Sequence, residues 1–119
     1  GVGELTSVPD AAYDAVILSN IVDNLYPEDA MLLIRASARV LRCGGKALVK
    51  LNPYLTPEQI ADWNIRPISG DLLDDGLLLW NNTTQQWREI LRAHFSIASE
   101  GEVYYPEHDQ TNRLFYLLK

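Results

Sequence analysis

Short apolar runs separated by amphipathic segments make up the pattern of hydrophobic and polar positions along this chain. The first run, Ala15 to Leu18 within YDAVILSN, is bounded by polar residues, and its length predicts a strand buried on both faces of a parallel sheet. A helical pattern follows, and Pro27 suits its first turn. The apolar stripe of this helix comprises Leu33, Ile34, Ala38 and Leu41.

The glycine pair Gly44 and Gly45 separates this helix from the next apolar run, KALVKL. A glycine in the left-handed conformation commonly ends a helix, so one of the two is predicted to form the C-cap. KALVKL then reads as a second strand. The order strand, helix, strand predicts one right-handed βαβ unit.

Residues 55–82 interrupt this alternation and are predicted to be an insertion. Thr56 and Gln59 resemble a capping box that opens a short helix, and two short strands around a loop follow it. A second capping pair, Thr83 and Gln86, opens the helix TQQWREILRAHF. The last two apolar runs, SIASEGEVYY and RLFYLLK, are joined by a polar loop and predict an antiparallel hairpin.

Length and charge narrow the classes of function. The chain has 119 residues, which suits a single domain, and its net charge of −6 argues against binding the nucleic-acid backbone. No apolar run reaches the roughly 20 residues that a membrane span needs. The single cysteine, Cys43, predicts a reducing compartment, with the cytoplasm as the default. Two separated histidines do not predict a metal site.

The run from Tyr13 to Val49 resembles the second half of class I S-adenosylmethionine-dependent methyltransferases. An aromatic-Asp pair starts the strand, a polar residue ends it, and the helix that follows closes with Arg-Val-Leu and a glycine pair. The matching residues are Tyr13, Asp14, Ser19, Asn20, Arg39, Val40, Leu41, Gly44 and Gly45. The resemblance implies an α/β fold, half of a Rossmann-like sheet with parallel strands, a terminal antiparallel hairpin and flanking helices. Residues 1–119 would form one partial domain.

The resemblance also implies where ligands bind. Ser19 and Asn20 end the first strand at the carboxyl edge, which in this family faces the methionine portion of the cofactor, so they are the expected cofactor-binding residues. Asn52 and Tyr54, in the NPY that ends the second strand, are expected to contact the substrate. NPY is similar to the Asn-Pro-Pro-Tyr motif of amino-methylating enzymes, but it lacks one proline and follows a different strand.

Aromatic residues and one histidine complete the candidates. In this fold an insertion typically covers the acceptor site, so Trp63 and Trp80 are expected to wall an apolar pocket or contact a methyl-bearing cation, unless they only pack the insertion. Tyr105 and His108 are the candidates for catalysis, with His108 as a general base towards the acceptor. The alternative for both is a solvated hairpin turn.

The resemblance departs at the cofactor loop. The family holds S-adenosylmethionine on a glycine-rich loop after its first strand, whereas Gly1-Val2-Gly3 has no strand before it and no helix after it. The expectation is therefore a methyltransferase acting on a small-molecule acceptor, of which this chain is the substrate-side half and by itself binds cofactor weakly. The strand at 14–19 would be an open edge that pairs with a missing N-terminal half or with a second copy.

Two alternatives remain open. The chain is either a degenerate, non-catalytic half-domain that serves dimerisation or regulation, or part of another doubly wound enzyme such as a dehydrogenase. A fully parallel sheet would favour the dehydrogenase, whereas an antiparallel terminal hairpin favours the methyltransferase.

Overall fold

The structure of the chain is a computed structural model that describes residues 7–119. A short 3-10 turn, Val22–Asn24, follows the first strand. The strands and α-helices of the described residues are β1 Tyr13–Ser19, α1 Pro27–Val40, β2 Leu41–Leu51, α2 Pro57–Asp62, β3 Arg66–Ser69, β4 Leu72–Asp74, β5 Leu78–Trp80, α3 Thr84–Arg92, β6 Ser96–Tyr105 and β7 Gln110–Leu118.

The main sheet has the strand order β1-β2-β7-β6. β1 and β2 run parallel, whereas β7 is antiparallel to both of its neighbours, β2 and β6. The predicted βαβ unit and the predicted terminal antiparallel hairpin are therefore both confirmed. A fully parallel sheet, which would have favoured the dehydrogenase alternative, is not what the chain forms.

The main core lies on one face of this sheet, where α1 and α3 pack against β2 and β7. Ile34 of α1 and Trp87 of α3 are fully buried and meet Val49 and Phe115 of the sheet in one apolar cluster. Each side chain of this size contributes roughly 1.5–3 kcal/mol when it is fully buried. The predicted buried stripe of α1 is confirmed for Leu33, Ile34 and Ala38, whereas Leu41 is buried as the first residue of β2. The cluster fixes both helices on the same side of the sheet.

The prediction that β1 is buried on both faces is wrong. Leu18 is buried in the core, but its neighbour Ile17 is 67% exposed. The reason is that α1 and α3 cover only one face, and that β1 pairs only with β2 among the described strands. The apolar run of β1 therefore has one face covered by the helices and one face that no described helix covers.

The uncovered side of the sheet carries apolar side chains from three adjacent strands. Cross-strand partners share a face, and the register aligns Ile17 with Leu48 and Leu48 with Tyr116. The same register places Lys46 beside Leu118 and Lys50 beside Leu114. We call this surface the open sheet face; its apolar residues are Ile17, Leu48, Leu114, Tyr116 and Leu118.

The glycine pair does not cap α1, so that prediction is wrong as well. The helix ends at Val40, and Leu41 is already extended because its fully buried side chain continues into β2. Gly44 lies within β2 with a φ of +81°, beside the register shift between β1 and β2. The glycines therefore shape the irregular start of a strand.

The insertion forms a layer of its own. Strands β3, β4 and β5 make a separate three-stranded antiparallel sheet, one strand more than expected. Its small apolar cluster contains Leu55, Ile65, Leu73 and Leu79. The Asn81 amide anchors the layer, because it donates to and accepts from the backbone of Leu55 at 2.9 Å each.

Both predicted capping boxes are confirmed, and they fix where α2 and α3 begin. The Thr56 hydroxyl accepts from the Gln59 backbone N–H at 3.2 Å, and the Thr83 hydroxyl accepts from the Gln86 backbone N–H at 3.1 Å. α3 ends at Arg92, earlier than its apolar pattern suggests. None of the helices described in residues 7–119 has the length and apolar character needed to cross a membrane.

The close approach at Gly45 gives the first testable prediction. A Cβ at this position would lie 2.8 Å from the Arg42 carbonyl oxygen and 3.2 Å from the Asp14 carbonyl oxygen, both of which are backbone atoms. Gly45→Ala should therefore lower the free energy of unfolding by about 2–3 kcal/mol, because overpacking at such a contact typically costs 1–3 kcal/mol.

Urea denaturation measures this effect, and Gly101→Ala is the matched control. A Cβ at Gly101, also in a strand, meets nothing within 4 Å, so its unfolding free energy should change by no more than about 1 kcal/mol. Equal effects at the two glycines would contradict the interpretation.

Candidate functional site

A cavity of about 660 Å³ opens at the carboxyl edge of β1 and β2. The ends of these two strands form one side, and the other sides come from α2, the β4–β5 turn and the β6–β7 turn. The lining residues are Asn20, Asn24, Asn52, Pro53, Tyr54, Leu55, Gln59, Trp63, Asp75, Leu77, Leu79, His108, Asp109, Gln110 and Thr111. Carboxyl edges of open α/β sheets are where such folds bind ligands.

Asn52 is the centre of the hydrogen-bond network at this edge. Its Oδ1 accepts from Asn20 Nδ2 at 3.2 Å and from Gln110 Nε2 at 3.3 Å. Its Nδ2 donates to Asp23 Oδ2 at 3.0 Å and to Asn24 Oδ1 at 3.3 Å. An amide has two donor hydrogens and an acceptor oxygen with two lone pairs, so all of its positions are occupied. Asn52 therefore positions its neighbours and offers no unused group to a ligand.

The Asp23 carboxylate accepts hydrogen bonds from Asn52 at this edge. Its side chain is fully buried, and Oδ2 also accepts from the backbone N–H of Asn52 at 2.7 Å. Oδ1 has no hydrogen-bond partner among the described residues. Burial raises the pKa of Asp23 above 3.8, whereas the hydrogen bonds from Asn52 and the charge of Arg113 act in the opposite direction.

Arg113 of β7 connects the same edge to α3. Its Nη2 and Nε donate to the Asn52 carbonyl oxygen at 2.7 and 3.0 Å. Nη1 donates to the Asn82 carbonyl oxygen at 3.0 Å and to Thr84 Oγ1 at 3.3 Å. Burial lowers the pKa of the guanidinium, and the charge of Asp23 opposes that shift. Arg113 thus satisfies backbone carbonyls where β2 ends and α3 begins.

The sequence interpretation missed Asp23 and Arg113. Each had a signal, since Asp23 follows apolar Val22 and Arg113 precedes the apolar run LFYLL in a strand. A charged residue placed within a buried pattern commonly has a partner across the fold. The spacing alone does not reveal that the partner of both is Asn52.

The structure brings together five of the predicted site residues. Asn20, Asn52, Tyr54 and His108 all line the cavity, together with Trp63 of the insertion. Asn20 adopts a φ of +53° as the chain leaves β1, which turns its amide towards Asn52. The residues of the two strand ends therefore meet at one edge.

Three other predicted site residues lie outside the cavity lining. Ser19 is exposed at the end of β1. Trp80 is half-buried and meets the ring of Trp87 edge-on at a centroid distance of 5.2 Å, so it packs against the core. The Tyr105 hydroxyl accepts from Lys50 Nζ at 2.7 Å and is not in the cavity lining. Within residues 7–119, no group of histidine, cysteine, aspartate and glutamate could hold a metal ion.

Comparison with known proteins identifies the architecture. No protein-family model and no curated protein sequence matches the chain. Many solved structures resemble it, among them two methyltransferases and a cyclase. The 1,6-didemethyltoxoflavin-N1-methyltransferase of Burkholderia thailandensis, crystallised with 1,6-didemethyltoxoflavin and S-adenosylhomocysteine, has a TM-score of 0.74 at 17% identity over 97% of this chain. A SAM-dependent methyltransferase from Methanosarcina mazei has a TM-score of 0.75 at 14% identity over 95%. The [4+2]-cyclase SpnF has a TM-score of 0.68 at 20% identity over 95%.

This is the fold of class I methyltransferases. The match covers 48%, 62% and 53% of those three chains, so this chain spans about half the length of the proteins that it resembles. The prediction of an α/β sheet with a terminal antiparallel hairpin, which the resemblance implied, is therefore confirmed.

The described half of the methyltransferase fold has few residues that could hold the cofactor. The glycines with positive φ in residues 7–119 are Gly44 within β2 and Gly70 and Gly76 in turns of the small sheet. None of them joins a parallel strand to a helix, as a cofactor loop requires. Gly1-Val2-Gly3 lies outside the described residues.

Asp23 gives a pH-dependent prediction. Because its folded-state pKa is raised, its contribution to stability is complete below about pH 3.8 and is lost as the pH rises through the folded-state pKa. Asp23→Asn removes this titration. The unfolding free energy of the wild type, relative to that of the variant, should therefore fall as the pH rises from acid to neutral in urea denaturation.

Glu100→Gln is the control, because the pH dependence of stability that it removes should have the opposite sign. Arg88 donates to Glu100 at 2.7 and 2.8 Å and lowers the pKa of that carboxyl. The stability that Glu100 contributes is present above its unfolded-state pKa and is lost as the pH falls through the folded-state value. If the difference in unfolding free energy between the wild type and Asp23→Asn stayed constant with pH, this would contradict a raised pKa for the buried Asp23 carboxyl.

Proposed function

We propose that this chain is the acceptor-side half of an S-adenosylmethionine-dependent methyltransferase that methylates a small molecule. The observation that carries the proposal is the cavity at the carboxyl edge of a methyltransferase fold, lined by Asn20, Asn52, Tyr54 and His108. A structure of the same fold, from Burkholderia thailandensis, holds a small molecule together with S-adenosylhomocysteine. The volume of about 660 Å³ suits a small-molecule site.

Methyl transfer fits a site with few acid–base groups. The cofactor supplies a methyl on a sulfonium, and the carbon–sulfur bond breaks with its electron pair remaining on sulfur as the acceptor lone pair bonds to carbon. Alignment of the two atoms supplies much of the rate, so this chain mainly has to bind and orient the acceptor. Asn20 would border the methionine end of the cofactor, and His108 would take up the proton that the acceptor loses.

We further propose that the cofactor-binding half of the domain covers the open sheet face and pairs with β1. In support, the chain spans about half the length of similar structures, and the unpaired edge of β1 is continuous with the apolar face through Ile17. An apolar surface beside an open strand edge is a template for association. A second copy of this chain is the competing occupant.

A lysine introduced on that face at Ile17, on the edge strand β1, tests whether the face is buried. In the protein translated from the complete coding sequence, Ile17→Lys should lower the free energy of unfolding by about 2–4 kcal/mol, because it buries an unpaired charge under the covering half. Leu32→Lys is the control, since Leu32 is a 48% exposed leucine on α1 and its change should be within about 0.5 kcal/mol.

Sedimentation velocity of the same variants separates the two occupants. A dimer that Ile17→Lys dissociates into a monomer of unchanged stability would show that a second copy covers the face. Equal destabilisation by the two lysines would show that the face is open to water. Both results would overturn the proposed covering by the cofactor-binding half.

Calorimetry with S-adenosylmethionine tests the function itself. The complete protein should bind the cofactor with micromolar affinity and transfer labelled methyl to an acceptor, whereas the 119-residue chain alone should bind at least about 100-fold more weakly, a difference of about 2.7 kcal/mol. Asn20→Ala in the complete protein should weaken cofactor binding more than the distant Gln85→Ala. Tight binding by the chain alone would refute the division into halves.

The second candidate is a non-catalytic half-domain that serves dimerisation or regulation. The likeness to the [4+2]-cyclase SpnF leaves room for it only in that a similar fold is found in a protein named for a reaction other than methyl transfer, since a fold does not dictate one function. A complete protein without affinity for S-adenosylmethionine would favour this candidate. In either case the exposed free thiol of Cys43 fits a reducing compartment such as the cytoplasm.

A further inference from the structure

We infer that the cavity selects a ligand carrying a positively charged nitrogen, so that the acceptor is an amine. Naming this ligand an acceptor rests on the proposed function, but the selection for positive charge follows from the lining itself. Three independent features of the described lining support it: exposed aromatic rings, carboxylates without opposing cations, and amides that present acceptor oxygens.

The aromatic side chains of Tyr54 and Trp63 both line the cavity and are partly exposed to solvent. Tyr54 is 37% exposed and Trp63 is 59% exposed, and neither belongs to the main core or to the cluster of the insertion. The Tyr54 hydroxyl has no hydrogen-bond partner among the described residues. Rings that line a cavity in this way offer their faces to a ligand, and a cation is attracted to such a face electrostatically.

The charges around the cavity have one sign. Asp75 and Asp109 are in the lining, whereas no lysine or arginine is among the lining residues that the structure describes. Nearby cations are engaged elsewhere: Arg66 pairs with the Asp74 carboxylate at 2.8 Å, and Lys50 donates to the Tyr105 hydroxyl at 2.7 Å. Arg113 is held by the carbonyl oxygens of Asn52 and Asn82 and is not in the lining, so the charges of the two lining carboxylates attract cations and oppose anions.

The lining amides of Gln110 and Asn20 each keep a carbonyl oxygen without a hydrogen-bond partner among the described residues, whereas Gln59 keeps its N–H group and uses its oxygen for the Thr56 backbone. Gln110 Nε2 donates to Asn112 Oδ1 at 2.6 Å and to Asn52 Oδ1 at 3.3 Å, which leaves its carbonyl oxygen as the unused group. Asn52 is saturated, and Asn24 donates to the Leu78 carbonyl oxygen at 2.8 Å while its own oxygen accepts from Asn52. A protonated amine has only donors, so it matches an acceptor-rich lining.

Three probes of nearly the same shape isolate the contribution of charge. Choline is a quaternary amine, 3,3-dimethylbutan-1-ol replaces its nitrogen by carbon, and 3,3-dimethylbutanoate carries a negative charge. Calorimetry or NMR titration of the complete protein, without cofactor, should show choline binding about tenfold more tightly than the alcohol, and the carboxylate most weakly. Equal affinities for choline and the alcohol, tightest binding of the carboxylate, or binding of none of the three would overturn the inference.

Variants of the lining connect the preference to its residues. Trp63→Leu should weaken choline binding about three- to tenfold and leave the alcohol unchanged, and Trp63→Phe should restore most of the loss because it keeps a ring. Asp75→Asn should weaken choline binding about threefold. The matched control is Asp71→Asn, an exposed carboxylate of the same small layer that lies outside the lining, and it should change neither affinity.

The design keeps the two proposals separate. Choline has no lone pair on nitrogen to accept a methyl, so its binding reports charge selection and does not depend on methyl transfer. A protein that binds S-adenosylmethionine but does not distinguish choline from the alcohol contradicts only the cation site. A protein that makes the distinction but has no affinity for the cofactor contradicts only the methyltransferase proposal.

Discussion

The structure depends on one buried hydrogen-bonded pair, in which the Asp23 carboxylate holds the end of β2 through Asn52. Oδ2 accepts from both the backbone and the side-chain N–H of Asn52, at 2.7 and 3.0 Å, with no exposure to solvent. These hydrogen bonds offset part of the cost of burying the carboxyl group, whose pKa burial still raises, and without Asn52 the buried group would be left unpaired at a greater cost. The end of strand β2 therefore has little freedom to move away from the 3-10 turn that follows β1.

Every wall of the cavity is attached to that pair. Asn24, next to Asp23, donates to the Leu78 carbonyl oxygen and so fixes the insertion. Gln110 donates to the Asn52 side chain and fixes the β6–β7 turn, while Arg113 donates to the Asn52 carbonyl oxygen. One amide thus coordinates segments that lie far apart in sequence. Such a network is cooperative, so the cavity should keep its shape without help from a ligand.

Local signals in the sequence sufficed for much of the fold. The capping boxes at Thr56 and Thr83, Pro27 at the first turn of α1 and the terminal hairpin were each predictable, because they depend on neighbours within a few residues. Burial of β1 was not, since an apolar run does not state how many of its faces are covered, and Ile17 is exposed. Trp80 looked like a ligand-binding residue, but its position was decided by a core partner, Trp87, whose proximity only the tertiary structure shows.

The open sheet face and the cavity differ in shape and charge, and these differences suit the first to association and the second to ligand binding. The open sheet face is a flat, regular array in which Ile17, Leu48 and Tyr116 lie side by side across three strands, with ammonium groups of Lys46 and Lys50 in the adjoining rows. The cavity is concave, and carboxylates rather than ammonium groups surround its aromatic rings. A flat apolar array with cationic neighbours suits another protein layer, whereas a concave acceptor-rich site suits a small cation. Because the strands end between the two surfaces, covering the sheet face leaves the cavity accessible from the carboxyl edge.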